Sequence, residues 1–239
     1  MKPSVYSRKY DLVVSLGQWC ATSIILKKLG LRSTSGPFDW AGRFVTFGGY
    51  VDLMTTGFGG FVLKENMRHV GSNPGEGVDY YLDTGTDLEF RHDFRIGVPF
   101  DDEYDRFRAM MHRREDRLLR ALHSACNVIF VQFYSEGRYA REGLVSDLHR
   151  LRACFPEAHI DVMILEISAA DGHPVWEEPA PGCCVVTGRF FDPRSMGVLG
   201  DERLCREVLR GIRLRGRFLN WLRVRMESFR RRWRRWRQR

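Results

Sequence analysis

Cys20 and His92 are the side chains of this 239-residue sequence best suited to nucleophilic chemistry. Cys20 follows a short apolar run, Leu12 to Leu16, and Gly17, and it opens a helical pattern in the stretch DLVVSLGQWCATSIILKKLG. Backbone N–H groups at a helix start lack intrahelical partners and the helix dipole is positive there, so the expectation is a stabilised thiolate at Cys20. His92 lies in LEFRHDF, where period-2 alternation sends Leu88, Phe90, His92 and Phe94 to one face and Glu89, Arg91 and Asp93 to the other. An imidazole on the inner face can take a thiol proton and later return it to a leaving group. The same alternation turns Asp93 away from its neighbour. The competing reading is two buried core residues, since free Cys and strand-face His are often simply packed.

The elements that must position this pair are readable in outline. Leu12 to Leu16 reads as a buried strand, and Ala21, Ile24, Ile25, Lys28 and Leu29 share a helical face that Gly30 closes. STSGPFDW (33–40) is turn-forming; Phe44 to Thr56 reads as a helix weakened by Gly48 and Gly49, Phe58 to Leu63 as a strand, and GSNPGEG (71–77) as a loop. A long helix over Asp101 to His123 places acids first and Arg113, Arg114, Arg117 and Arg120 later, the order the dipole favours. Val128 to Phe133, Leu144 to Phe155 and Ile160 to Ile167 form a strand, helix and strand with near-continuous apolar strands, which argues for parallel pairing. Residues 168–182 read as loop and Cys183 to Thr187 as a last strand.

Composition narrows the class. The fourteen Arg and two Glu from residue 206 onward supply +12 against a whole-chain net of +8, which leaves residues 1–205 at −4. The expectation is one α/β domain over 1–205 and a basic, amphipathic, Arg- and Trp-rich helical extension over 206–239. By default the first half of that extension is a surface helix of the domain and its end a frayed basic stretch; as a binding element it suits an anionic membrane surface better than nucleic acid, because the acidic body would repel a polyanion. The six cysteines are not spaced as CxxC, so neither a disulfide framework nor a zinc site is expected. His69, His112, His123, His149, His159 and His173 show no HExxH-type spacing, and FGGF (58–61) lacks a phosphate-loop context. No metal is expected. With neither a leader-like nor a membrane-spanning run, the expected location is cytoplasmic, peripheral to the inner membrane if the tail binds there.

The run VVSLGQWCATSIILKKLGLRSTSGPFDW, then FRHDF, then a helix containing HRREDRL, resembles a bacterial family of unknown function described as papain-like cysteine peptidases. The likeness spans roughly residues 10–165. It implies a papain-like α/β fold, with a mixed sheet flanked by helices, and a Cys and His pair that falls on Cys20 and His92. The implied activity is acyl transfer through a thioester, as a hydrolase on peptide or acyl-bearing substrates. A coenzyme A-dependent acyltransferase acting on a sugar or glycan is the alternative, and a non-catalytic module working through the tail a second. Asp39 of PFDW is the first choice to orient the imidazole, with Asn127 and Gln132 behind it. Papain-like proteases place the oxyanion-hole glutamine further ahead of the cysteine than Gln18 stands. Backbone N–H groups around Gly17 and Cys20 are therefore expected to hold the oxyanion, with Gln18 the weaker candidate. Trp40, Arg113 and Arg114 complete the expected substrate contacts, the arginines toward an anion if they are more than a solvated helix face.

Overall fold

In the computed structural model, residues 3–17, 20–43, 45–124, 126–135, 140–168, 173–190 and 202–216 are described. Gln18 and residues 217–239 of the basic extension lie outside them. The chain runs β1 (Lys9–Tyr10), β2 (Leu12–Leu16), α1 (Cys20–Lys28), β3 (Ala41–Gly42), α2 (Phe47–Thr55), β4 (Met67–Asn73), β5 (Val78–Asp83), β6 (Leu88–Arg95) and α3 (Phe100–Leu122). It continues through β7 (Asn127–Ser135), α4 (Arg141–Cys154), β8 (His159–Ile167), β9 (Val175–Ala180), β10 (Cys183–Gly188), α5 (Glu202–Leu209) and β11 (Arg213–Leu214).

Two sheets carry the fold. The larger has the order β2-β7-β8-β10-β9, with every pairing parallel except the last. Apolar side chains on both faces of its strands make it a buried sheet with helices on either side. Val14, Leu16, Val128, Phe130, Ile160, Val162 and Val185 enter a core shared with α2, α3, α4 and β6. Val13, Ile129, Val131, Met163, Leu165 and Val186 enter a second core shared with α1 and α5. The β7-α4-β8 unit is the strand, helix and strand expected from the sequence. The smaller sheet, β3-β6-β5-β4, is antiparallel and packs Leu88, Phe90 and Phe94 against Phe107 of α3.

Three readings of the sequence change. Residues 58–63 form turns, with positive φ at Phe58, Gly60 and Val62, and not a strand. The GSNPGEG stretch is the end of β4 and a hairpin turn into β5, two half-exposed strands whose composition hides them. Residues 168–182 include β9, an edge strand that tolerates Pro179 because an edge need not donate outward. Beyond residue 205, Val208 and Leu209 of α5 are buried along with Ile212 and Leu214, and β11 pairs with β1. The folded body therefore continues to the end of the described chain at residue 216.

Candidate active site

β2 is the outer strand of the larger sheet, and it delivers the chain to Gly17 and then to Cys20 at the first position of α1. Gly30 ends this segment with φ +67°, the left-handed conformation that a helix stop of this type requires. Gly17 is required by contact and not by conformation. A Cβ there would sit 2.6 Å from the Ala41 carbonyl oxygen, 2.9 Å from the Tyr50 hydroxyl and 3.2 Å from the Phe38 carbonyl oxygen. Gly17 is thus pressed against the loop that carries PFDW.

The same loop reaches the strand that bears His92. Ala41 of β3 pairs with Phe90 of β6 and Gly42 with Glu89, so the residues just before β3 run alongside the residues just after Phe90. Trp40 accordingly meets the His92 ring edge-on, with centroids 5.4 Å apart. His92 does not follow the alternation of its strand. Tyr81 pairs with Phe90 and Asp79 with Phe94, so Arg91, His92 and Asp93 together face Tyr80 across a bulge. The bulge leaves the His92 side chain 38% exposed, with Nδ1 3.7 Å from Glu76 Oε2. Asp93, expected to point away, instead buries Oδ2 without a hydrogen-bond partner.

Cys20 is half-buried. Burial pushes its thiol above the ordinary range; its own backbone N–H and the Arg91 guanidinium act the other way, and Glu76 adds to the rise. The helix start therefore does not yield the ready thiolate expected of it. Burial outweighs the one N–H donor. Arg91 and Glu76, which act on the Cys20 sulfur, are the sequence neighbour of His92 and its ionic partner. Glu76 was missed because it lies in a glycine-rich turn sixteen residues before His92, where nothing but the hairpin fold brings it close.

Asp39 sits at the centre of a different set of contacts. Its carboxylate is 1% exposed, accepts from the Gly36 N–H at 3.0 Å and pairs with Arg32 Nη1 at 2.9 Å. Burial pushes this carboxyl up, while Arg32, the Gly36 N–H, Arg114 and Arg117 pull it down. Arg32 also donates to Ser23 Oγ and lies 6.0 Å from the centroid of the Trp40 ring. Asp39 thus reaches His92 through Arg32 and Trp40, and its own hydrogen bonds close its turn. Asn127 is at the start of β7, tied to the Lys9 carbonyl, at the opposite end of the sheet from Cys20. Buried Gln132 donates to the Val45 carbonyl ahead of α2. Of the arginines on α3, Arg113 is exposed, whereas Arg114 and Arg117 are half-buried and line a cleft beside β2.

Asp93 makes a pH prediction. Burial raises its carboxyl, against the pull of Arg114, His92 and Arg106. An unfolded Asp has a pKa of about 3.9, so between that value and the higher folded one the native state binds more protons. Its contribution to stability is then fully present below pH ~3.9 and is lost as pH rises through the folded value. Urea melts of wild type and Asp93→Asn from pH 4 to 7.5 should show the variant gaining on the wild type with rising pH. A difference independent of pH would count against the buried, unpartnered carboxyl.

The α/β domain thus places a cysteine at the start of a helix behind an outer parallel strand and a histidine on the neighbouring antiparallel sheet. Residues 11–167 match the model of a family described as "putative papain-like cysteine peptidase", and the chain belongs to that family. No curated protein and no solved structure matches it. Among the described residues no group of His, Cys, Asp and Glu is placed to hold a metal ion, and no helix is long and apolar enough to cross a membrane.

Proposed function

We propose that the protein catalyses cysteine-dependent acyl transfer, with Cys20 as nucleophile, His92 as general base and acid, and Glu76 holding the imidazole. The observation that carries this reading is the shared surroundings of the two groups: the Cys20 sulfur is acted on by Arg91 and Glu76, which flank and pair with His92. One loop, residues 37–42, lies against both Gly17, three residues before Cys20, and the strand of His92.

Because burial keeps the proton on Cys20, the thiol must lose it as it reacts. His92 takes that proton while the sulfur bonds to the acyl carbon, and the resulting imidazolium returns it to the departing amine or alkoxide as the carbon–heteroatom bond breaks. Water or another hydroxyl then attacks the thioester carbonyl, His92 accepting its proton. The acyl product departs and the thiol recovers its hydrogen. Glu76, facing Nδ1, stabilises the imidazolium that exists between these steps.

An acyloxymethyl ketone probe, read by peptide mapping, tests the assignment. Cys154 is the exposed thiol among the described cysteines and serves as the internal standard for unassisted alkylation. Cys20 should label faster than Cys154 in the wild type, and His92→Ala should slow Cys20 alone by roughly 10²–10⁴-fold, the usual worth of a positioned base. Equal rates at Cys20 and Cys154 in the wild type would end the proposal.

A further inference from the structure

The cleft beside β2 has a composition that the acyl-transfer reading leaves unused. It runs along the unpaired side of the outer strand, between residues 34–37 and α3. Ser15, Asp39, Arg114 and Arg117 contribute to its walls. Arg114 and Arg117 are three apart on α3 and so share one face of the helix. Arg117 donates from Nη2 to the Ser35 carbonyl oxygen at 2.8 Å, which fixes its guanidinium at the rim. Arg114 is half-buried, and its described hydrogen bond goes to the Met111 sulfur at 4.0 Å, a weak acceptor. Among the described residues no carboxylate oxygen comes within ion-pair distance of it.

A guanidinium withdrawn from water without a counter-ion is costly, and the fork of five donors matches a planar or tetrahedral oxyanion. The nearby acids do not serve Arg114 directly. Asp39 is engaged by Arg32 at 2.9 Å, and Asp93 acts on Arg114 from beyond contact distance. The charged groups facing one another here are Arg32, Arg114 and Arg117 against Asp39 and Asp93, which leaves one positive charge in excess. We propose that this cleft binds the oxyanion group of a small ligand, a carboxylate or a phosphate, with Arg114 as its principal contact and Arg117 at its rim. The site stands apart from the chemistry at Cys20 and holds whether or not that thiol reacts. If both are correct, the cleft takes the anionic end of the substrate, linked to His92 through Asp39, Arg32 and Trp40.

The test uses inorganic phosphate and acetate, each exchanged for chloride at constant ionic strength. Thermal unfolding of the full chain should shift upward with one or both anions, by roughly 5–10 °C at a concentration a hundredfold above Kd. Acetate alone acting identifies a carboxylate site, and phosphate acting as well identifies a general oxyanion site. Arg114→Gln should abolish the shift, and Arg117→Gln, which removes the guanidinium at the rim, should weaken Kd several-fold by calorimetry. Cys20→Ala should retain the full anion effect, which separates this site from the thiol chemistry. The proposal fails if neither anion raises the wild-type midpoint beyond chloride, or if the rise and the Kd survive in both Arg114→Gln and Arg117→Gln.

Discussion

Asp39→Ala should lower the stability of the folded chain by roughly 3–5 kcal/mol, the usual cost of leaving one member of a buried ion pair without the other. The expectation rests on how completely the pair is enclosed: the Arg32 side chain is 9% exposed and the Asp39 side chain 1%. Removing the carboxylate leaves a guanidinium with Ser23 Oγ and the face of Trp40 as its remaining described partners. It also removes the acceptor that closes the turn onto the Gly36 N–H. The cost should therefore be strongly non-additive with changes at Arg32. In the double variant Asp39→Ala with Arg32→Met, no unpaired charge remains, and the loss should be well below the sum of the losses in Asp39→Ala and Arg32→Met. Urea denaturation of the four proteins measures this directly. Additive losses would mean that the two groups do not depend on each other, contrary to their geometry.

The pair also shows where sequence reasoning reached and where it stopped. Asp39 is singled out by its aromatic neighbours Phe38 and Trp40, and it is indeed desolvated, but a sequence does not say which cation a buried carboxylate meets. Arg32, seven residues earlier, reads as an ordinary residue after a helix stop. The β2-Gly17-α1 unit and the β7-α4-β8 unit were legible because their strands are short, apolar and bounded by glycine or polar residues, a local signal. The face of His92 was not. Alternation assumes an uninterrupted ladder, and the three-residue bulge opposite Tyr80 exchanges the environments of His92 and Asp93. The bulge is a property of the pairing between β5 and β6, and β5 itself, VDYYLD, carries too mixed a composition to read as a strand. The thiol at Cys20 was misjudged for a related reason: helix-start donors can be inferred from the sequence, but the burial that outweighs them depends on what packs above the turn.

Gly17→Ala should be the most damaging single methyl in the protein's candidate site, both for folding and for reactivity at Cys20. Two of the three atoms that the new Cβ would meet are backbone carbonyl oxygens, at 2.6 Å and 3.2 Å, and the third is the Tyr50 hydroxyl at 2.9 Å. Backbone does not swing aside as a flexible side chain does. Overpacking of this kind costs typically about 1–3 kcal/mol, occasionally more. The relief available is instructive. Tyr50 is fully buried and its hydroxyl has no hydrogen-bond partner, so Tyr50→Phe removes a desolvated polar atom and one of the three clashes together. Tyr50→Phe alone should leave stability unchanged or raise it, and in the Gly17→Ala background it should restore part of the loss. The two carbonyl contacts remain, so the loop bearing Phe38, Trp40 and Ala41 must still move away from residue 17. Since that loop also holds Trp40 against His92, the double variant should regain stability without regaining probe labelling at Cys20. Recovery of both together would show that the spacing between residue 17 and the loop is a matter of packing alone, and that the position of Trp40 has no bearing on the thiol.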